Sequence, residues 1–159
     1  MIELGKHEDV LAHLSRIIAK SFELEKVPRD YGTGDLLYHS EIHTLHAIGV
    51  KPGLNVTQLA ALLGVTKGAV SQVISKLSKK GLVDRYKEPE NNKQVLLALT
   101  QKGQKAYSGH VAYHKRIGDA FFTEIGKVTD EQIEFLRLFF NKFEAFIDRH
   151  LGNEKELEK

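Results

Sequence analysis

Apolar positions recur in helical rhythm over most of this chain. Val10, Leu11, Leu14, Ile17 and Ile18 repeat at three- and four-residue steps, which predicts an amphipathic helix to about Val27. Pro28 to Asp35 is rich in Pro, Asp and Gly and reads as a loop. A second helix is expected from about Ser40 to Ile48, ended by Gly49-Val50-Lys51-Pro52-Gly53. Asn55 and Gln58 have the spacing of a capping box, each side chain accepting the other's backbone amide. They open a short third helix, Val56 to Leu63, which Gly64 stops as a left-handed glycine. Thr66 caps a fourth helix that continues to Lys80, with Gly81 closing it.

After Gly81 the rhythm changes. Leu82 to Lys87 and Val95 to Leu99 read as two strands around the polar turn Glu88 to Lys93, a β-hairpin. Thr100 then opens a long helix, about Gln101 to Glu124, and Thr129 with Gln132 repeats the capping box. Beyond it Ile133, Leu136, Phe140, Phe143 and Ile147 alternate three and four apart, the seam of a paired helix. The tail, 154–159, reads as a frayed or solvated helix end. The fold class expected is mainly α with a small β-hairpin wing. One domain of residues 1–159 is expected, with a central winged-helix lobe at about 36–99 flanked by helices at about 9–27 and 101–151.

The third and fourth helices, joined by Leu63-Gly64-Val65-Thr66, have the layout of a helix-turn-helix, and the hairpin that follows makes it a winged helix. Val70, Val73, Ile74 and Leu77 form the inner stripe of the fourth helix. Thr66 at its start, with Lys67, Gly68, Ser71, Gln72, Ser75 and Lys76 on its outer face, supplies small and hydrogen-bonding groups that suit a major groove about 12 Å wide. Gln72 has the chemistry to pair with adenine, and Ser71 and Lys67 to reach a base edge or a phosphate. On the wing, Arg85, Lys87, Asn91, Asn92 and Lys93 are candidates for phosphate or minor-groove contact.

Charge sharpens this reading. The net charge of the 159 residues is only +2, but Gly64 to Gln94 holds seven cations and three anions, so the middle of the chain is basic and the rest sums to −2. Such asymmetry is the footprint of a nucleic-acid surface on a near-neutral protein. The chain has no cysteine, which excludes thiol catalysis, Cys-ligated zinc and iron–sulfur clusters, and fits a reducing cytoplasm. The acidic N-terminus lacks a signal-peptide core, and no apolar run approaches the roughly 18 residues of a membrane span.

The eight histidines include two groups. His39, His43 and His46 stand near one face of the second helix, and His110 and His114 stand one turn apart on the long helix. Imidazoles one turn apart can hold one metal ion. They equally fit side chains packed between helices, or an anion site when protonated. Val111 occupies the position where a zinc-protease helix needs its catalytic Glu, so a metallopeptidase built on His110 and His114 fails at the base; for a metal-dependent hydrolase using His43, His110 and His114, nothing marks a general base. A winged helix used for protein contact, without DNA, is the other alternative.

Val56-Thr57-Gln58-Leu59-Ala60, Gly64-Val65-Thr66 through Val73, Leu77 to Val83 and Leu99-Thr100-Gln101-Lys102-Gly103 resemble the MarR family (multiple antibiotic resistance regulator) of winged helix-turn-helix transcription factors. The likeness runs from the first helix to about Leu151. It implies a homodimer, joined through the first and last helices, on a pseudo-palindromic double-stranded DNA operator, usually as a repressor and without a membrane. One departure is in the wing, where Asn91-Asn92-Lys93 replaces the family's Asp-x-Arg. Lysine is a point charge without the planar fork of arginine, so minor-groove contact is expected to be weaker or differently placed. The resemblance extends to the family's zinc-sensing branch. It implies Glu25 (or Glu23), His43, His110 and His114 as ligands of one zinc ion, while a second site known there lacks its carboxylates around Ile42 and Gly109. Three expectations stay open for the effector, a metal, a small organic molecule or none, and no cofactor is expected to be needed for folding.

Overall fold

The computed structural model describes residues 4–88 and 91–157, with side chains described for 8–87 and 94–150. Among them the elements run α1 (Leu4–Glu25), β1 (Arg29–Asp30), β2 (Leu36–Leu37), α2 (His39–Val50), α3 (Val56–Leu63), α4 (Lys67–Lys79), β3 (Val83–Glu88), β4 (Asn91–Leu99), α5 (Gln101–Ile125) and α6 (Asp130–Leu157). They fall into two units, Met1–Lys115 and Arg116–Lys159.

The core of the first unit is the winged helix. Leu45 and Ile48 of α2, Leu59 of α3, Val70, Ile74 and Leu77 of α4, and Val83 and Leu97 of the hairpin are all buried. Fully burying each such side chain contributes roughly 1.5–3 kcal/mol, so this shared interior fixes how α4 stands on α2 and α3. The caps work as the sequence predicts. Asn55 Oδ1 accepts from Gln58 N at 2.9 Å, while Asn55 N donates to Gln58 Oε1 at 3.0 Å. Gly64 closes α3 at φ +66°, a left-handed conformation costly for other residues. Thr66 Oγ1 accepts the Ala69 amide at 3.2 Å and starts α4.

The wing is an antiparallel ladder from Val83 opposite Leu99 to Glu88 opposite Asn91. A third rung comes from the segment before α3, where Leu97 N donates to Leu54 O at 3.0 Å and Gly53 N to Leu97 O at 3.3 Å. At the foot of the wing, Thr100 Oγ1 donates to Gly81 O at 2.7 Å and accepts from Gly103 N at 2.9 Å. Gly103 is required there because a Cβ would overlap the Leu82 carbonyl. Gly103→Ala is expected to lose about 1–3 kcal/mol of stability in urea unfolding, since backbone must shift to admit the methyl. An unchanged midpoint would contradict this packing.

Three boundaries differ from the sequence expectation. The second helix runs from His39 to Val50, so Gly49 lies inside it rather than ending it. A side chain at Gly49 would strike the Tyr107 ring, so this glycine serves close helix packing and not termination. The expected loop after α1 carries a two-residue ladder, β1 with β2, and its turn is tied by Asp30 Oδ1, which accepts the amides of Gly32, Thr33 and Gly34. Those amides, Thr33's first, hold the Asp30 carboxyl below its ordinary range. The second wing strand begins at Asn91, four residues earlier than expected, because the ladder continues past Val95.

In the second unit, Thr129 N donates to Gln132 Oε1 at 2.9 Å and Gln132 N to Thr129 Oγ1 at 3.3 Å, opening α6 as the capping box predicts. No described residue from 116 to 150 is buried. Phe121, Phe122, Phe135, Leu136, Leu138, Phe140 and Phe146 all stand exposed in the single chain. No helix among the described residues is long and apolar enough to cross a membrane.

Candidate nucleic-acid interface and histidine cluster

The two faces of α4 are sharply different. Val70, Ile74 and Leu77 point into the core, while Lys67, Gly68, Gln72, Ser75 and Lys76 are exposed and Ser71 is half-buried. Among the described residues nothing requires a glycine at 68. An added Cβ would find its nearest neighbour, Thr66 Oγ1, at 4.0 Å, and glycine costs a helix roughly 0.5–1 kcal/mol against alanine. The absent side chain leaves the outer surface of the first turn open to close approach. Thr66 is engaged as the cap, and Ser75 Oγ donates to Ser71 O at 2.8 Å.

Arg85, on β3 of the wing, also touches α4. Its Nη2 reaches back to Ser75 Oγ at 3.4 Å, so this cation stands beside α4. Lys87 is exposed on β3. The side chains of Asn91, Asn92 and Lys93 lie outside the described residues. Lys80, one of the seven cations of the basic segment, has a structural task. Its Nζ donates to both carboxylate oxygens of buried Glu41 at 2.7 and 2.8 Å and to Leu36 O at 3.0 Å. Glu41 Oε2 also accepts the Tyr38 amide at 3.0 Å, so the pair clamps the start of α2 to the end of α4. Breaking one partner of such a buried pair costs far more than a surface ion pair would.

All five histidines of the two groups meet between α2 and α5. Ligand nitrogens of His43, His110 and His114 lie within 4.8 Å of one another. His110 Nε2 is 2.8 Å from His114 Nε2, and His110 Nδ1 is 3.3 Å from His46 Nδ1. His39 lies against His43, ring centroids 3.9 Å apart, and its Nε2 is 3.5 Å from Glu25 Oε1. Glu25 thus stands one ring away from the three-histidine set. Glu23, the other carboxylate considered, pairs with Lys26 at 2.6 Å. His110 is buried, and burial together with the neighbouring imidazoles of His114, His43, His46 and His39 pushes its pKa down to about 4. His43 is lowered too, by burial first and then by the imidazoles of His39, His114 and His46, against the opposing pull of Glu25. His110 therefore remains neutral, the form that ligates metal, at pH values where a free histidine is protonated. Folding stability contributed by His110 falls as pH drops from about 6.5 toward 4, because the unfolded chain takes the proton that the folded one refuses.

The three nitrogens fit a metal on chemistry and spacing. Tetrahedral zinc bound at about 2.0–2.1 Å places its ligand nitrogens about 3.4 Å apart. The observed range, 2.8 Å between one pair and within 4.8 Å for all, brackets that value. Sequence reasoning assigned no task to His46 or to the His39–Glu25 pair. The signal was the i, i+4, i+7 spacing of the α2 histidines, which does not say which ring meets which.

A family model described as MarR family matches residues 37–95. The uncharacterized HTH-type transcriptional regulator YhjH of Bacillus subtilis is 33% identical over 120 residues, spanning 76% of this chain and 69% of the relative. The chain belongs to the MarR family. Among solved structures, Streptococcus pneumoniae FabT in complex with DNA matches at TM-score 0.73 and 23% identity, covering 90% of this chain and 98% of that one. The zinc-responsive MarR-family member ZitR of Lactococcus lactis matches at TM-score 0.68 and 19% identity, covering 89% and 98%. This MarR-family protein is a DNA-binding transcriptional regulator with a winged-helix fold.

Proposed function

We propose that this regulator acts in the cytoplasm as a homodimeric repressor. It places one α4 in the major groove at each half of a pseudo-palindromic operator, with a zinc-like ion as effector. The observation that carries the DNA reading is the outer face of α4: Lys67, Gly68, Gln72, Ser75 and Lys76 exposed on a helix whose inner stripe is locked in the core. Gln72 reads a base edge, Lys67 and Lys76 meet phosphates, Arg85 supports α4 from β3, and Lys87, Asn91, Asn92 and Lys93 serve the wing. The helices α1, α5 and α6 supply the dimer contacts; their exposed apolar residues support this.

His43, His110 and His114 would hold the ion, with Glu25 as the fourth ligand. The ion supplies a fixed tie between α2 and α5. The residues themselves do the coupling: His43 sits on the helix that Glu41 and Lys80 clamp to α4. A change in the angle of α2 thereby reaches the recognition helix. Half-sites lie about 34–36 Å apart, so a small rotation alters affinity without touching a base contact. One observation favours a second effector class. A largely apolar cavity of about 340 Å³ opens between α2, α3 and α4, lined by His39, His43, Thr44, Leu63, Val65 and Val73 among others. A small, largely apolar organic molecule would suit it.

Fluorescence anisotropy on a duplex selected from genomic fragments tests the DNA reading. Log affinity is expected to fall linearly with log salt, with a slope near −0.9 per phosphate contact. Gln72→Ala should cut discrimination between operator and mismatched duplex by roughly 1–3 kcal/mol. Lys76→Ala should weaken all duplexes alike and reduce the slope by about 1. A flat salt response, or identical behaviour of the two variants, would contradict the assignment.

A further inference from the structure

Both ring nitrogens of His110 face another imidazole. Its Nε2 faces His114 Nε2 at 2.8 Å and its Nδ1 faces His46 Nδ1 at 3.3 Å. A ligating imidazole is neutral, so it carries one N–H and one lone pair. With Nε2, the nitrogen turned toward His114, as the ligating atom, the lone pair of metal-bound His110 lies there. The proton then belongs on Nδ1, where His46 Nδ1 is the acceptor. His110 is buried, so water does not substitute freely for that acceptor. His46 is itself held: it lies three residues along α2 from His43, and its ring packs on Tyr107 with centroids 5.2 Å apart.

We propose that His46 is a positioning residue for the metal site: by accepting the Nδ1 hydrogen of His110, it keeps the Nε2 lone pair of His110 aimed at the ion. The proposal rests on the metal reading above. Ligating histidines characteristically donate their second N–H to an outer partner, which fixes the tautomer and ring orientation. Here an imidazole takes the place usually held by a carboxylate or a carbonyl oxygen. In consequence His46 carries its own proton on Nε2, and the α2 histidines divide the labour: His43 ligates and His46 orients.

Cobalt(II) and zinc affinities of the purified full chain, measured by chelator competition, test this with two variants. His46→Phe keeps a ring against Tyr107 and removes the acceptor, while His46→Gln restores an acceptor oxygen. His46→Phe is expected to weaken metal binding 10–100-fold with the same stoichiometry and an unshifted cobalt ligand-field spectrum, because the ligands are unchanged. His46→Gln is expected to recover most of the loss. Wild-type affinity in His46→Phe would overturn the proposal and leave the metal site standing. A shifted cobalt spectrum would overturn it in favour of His46 as a ligand. Failure of the wild-type chain to bind cobalt or zinc would overturn the metal reading and this inference together. Long-range proton–nitrogen NMR of the zinc-loaded wild type reads the same point without substitution: His110 protonated at Nδ1 is the expected tautomer, and protonation at Nε2 would overturn the assignment.

Discussion

Phe140→Asp is expected to convert the protein to monomer or aggregate and to abolish operator binding. Phe140 is 53% exposed in the single chain, and Leu136, Phe146 and Ile147 of α6 are exposed with it. Isolated exposed apolar residues are ordinary, but a helix that presents Phe135, Leu136, Leu138, Phe140, Phe146 and Ile147 together is a surface awaiting a partner. The three–four spacing of Ile133, Leu136, Phe140, Phe143 and Ile147 is that of a helix pair. A carboxylate placed in such a seam would be desolvated without a counter-ion, which costs several kcal/mol. Because Phe140 is not part of the chain's own buried core, the winged helix should fold normally in the variant. Sedimentation velocity and a gel shift check this: a species still dimeric, or one that still binds the operator tightly, would place the dimer contacts elsewhere.

His110→Ala is expected to lower zinc affinity by more than about 100-fold, since it removes a ligand rather than an outer partner. It should also remove any dependence of operator affinity on zinc, while salt-dependent duplex binding persists, because α4 and the wing keep their packing. His110 is buried, so some stability is lost with it. His114→Ala controls for this: His114 is exposed, removes a second ligand and leaves the interior intact. Competition titration with a zinc chelator, alongside anisotropy with and without zinc, checks both. If His114→Ala binds zinc as tightly as the wild-type chain, the three-histidine site does not exist as described.

The architecture was legible where local rules act alone. Asn55–Gln58, Gly64, Thr66 and Gly81 each carry their own geometric requirement, so the helix-turn-helix could be placed residue by residue from the sequence. The errors lie where a tertiary contact overrides a local preference. Gly49 reads as a helix stop, yet the Tyr107 ring claims the space its side chain would fill, and α2 continues through it. The Asp30 turn looks like an open loop because three amides converging on one carboxylate cannot be seen as spacing. Lys80 counts toward a basic patch in the sequence, and only the fold shows that buried Glu41 takes that charge. Spacing grouped His39, His43 and His46 on one helix and paired His110 with His114 on another; only the family resemblance joined His43 to that pair, and the opposite nitrogens of His110 and the interposed His39 are facts of packing.

Operator affinity of the wild-type protein, measured by anisotropy at fixed salt in zinc-buffered solution and again with chelator, tests most directly whether the histidine cluster governs DNA binding. The cluster as read here predicts that the two affinities differ by at least about five-fold, the lower end of ordinary allosteric coupling, and that His110→Ala erases the difference. Equal affinities with and without zinc, in a protein shown to hold the ion, would contradict it.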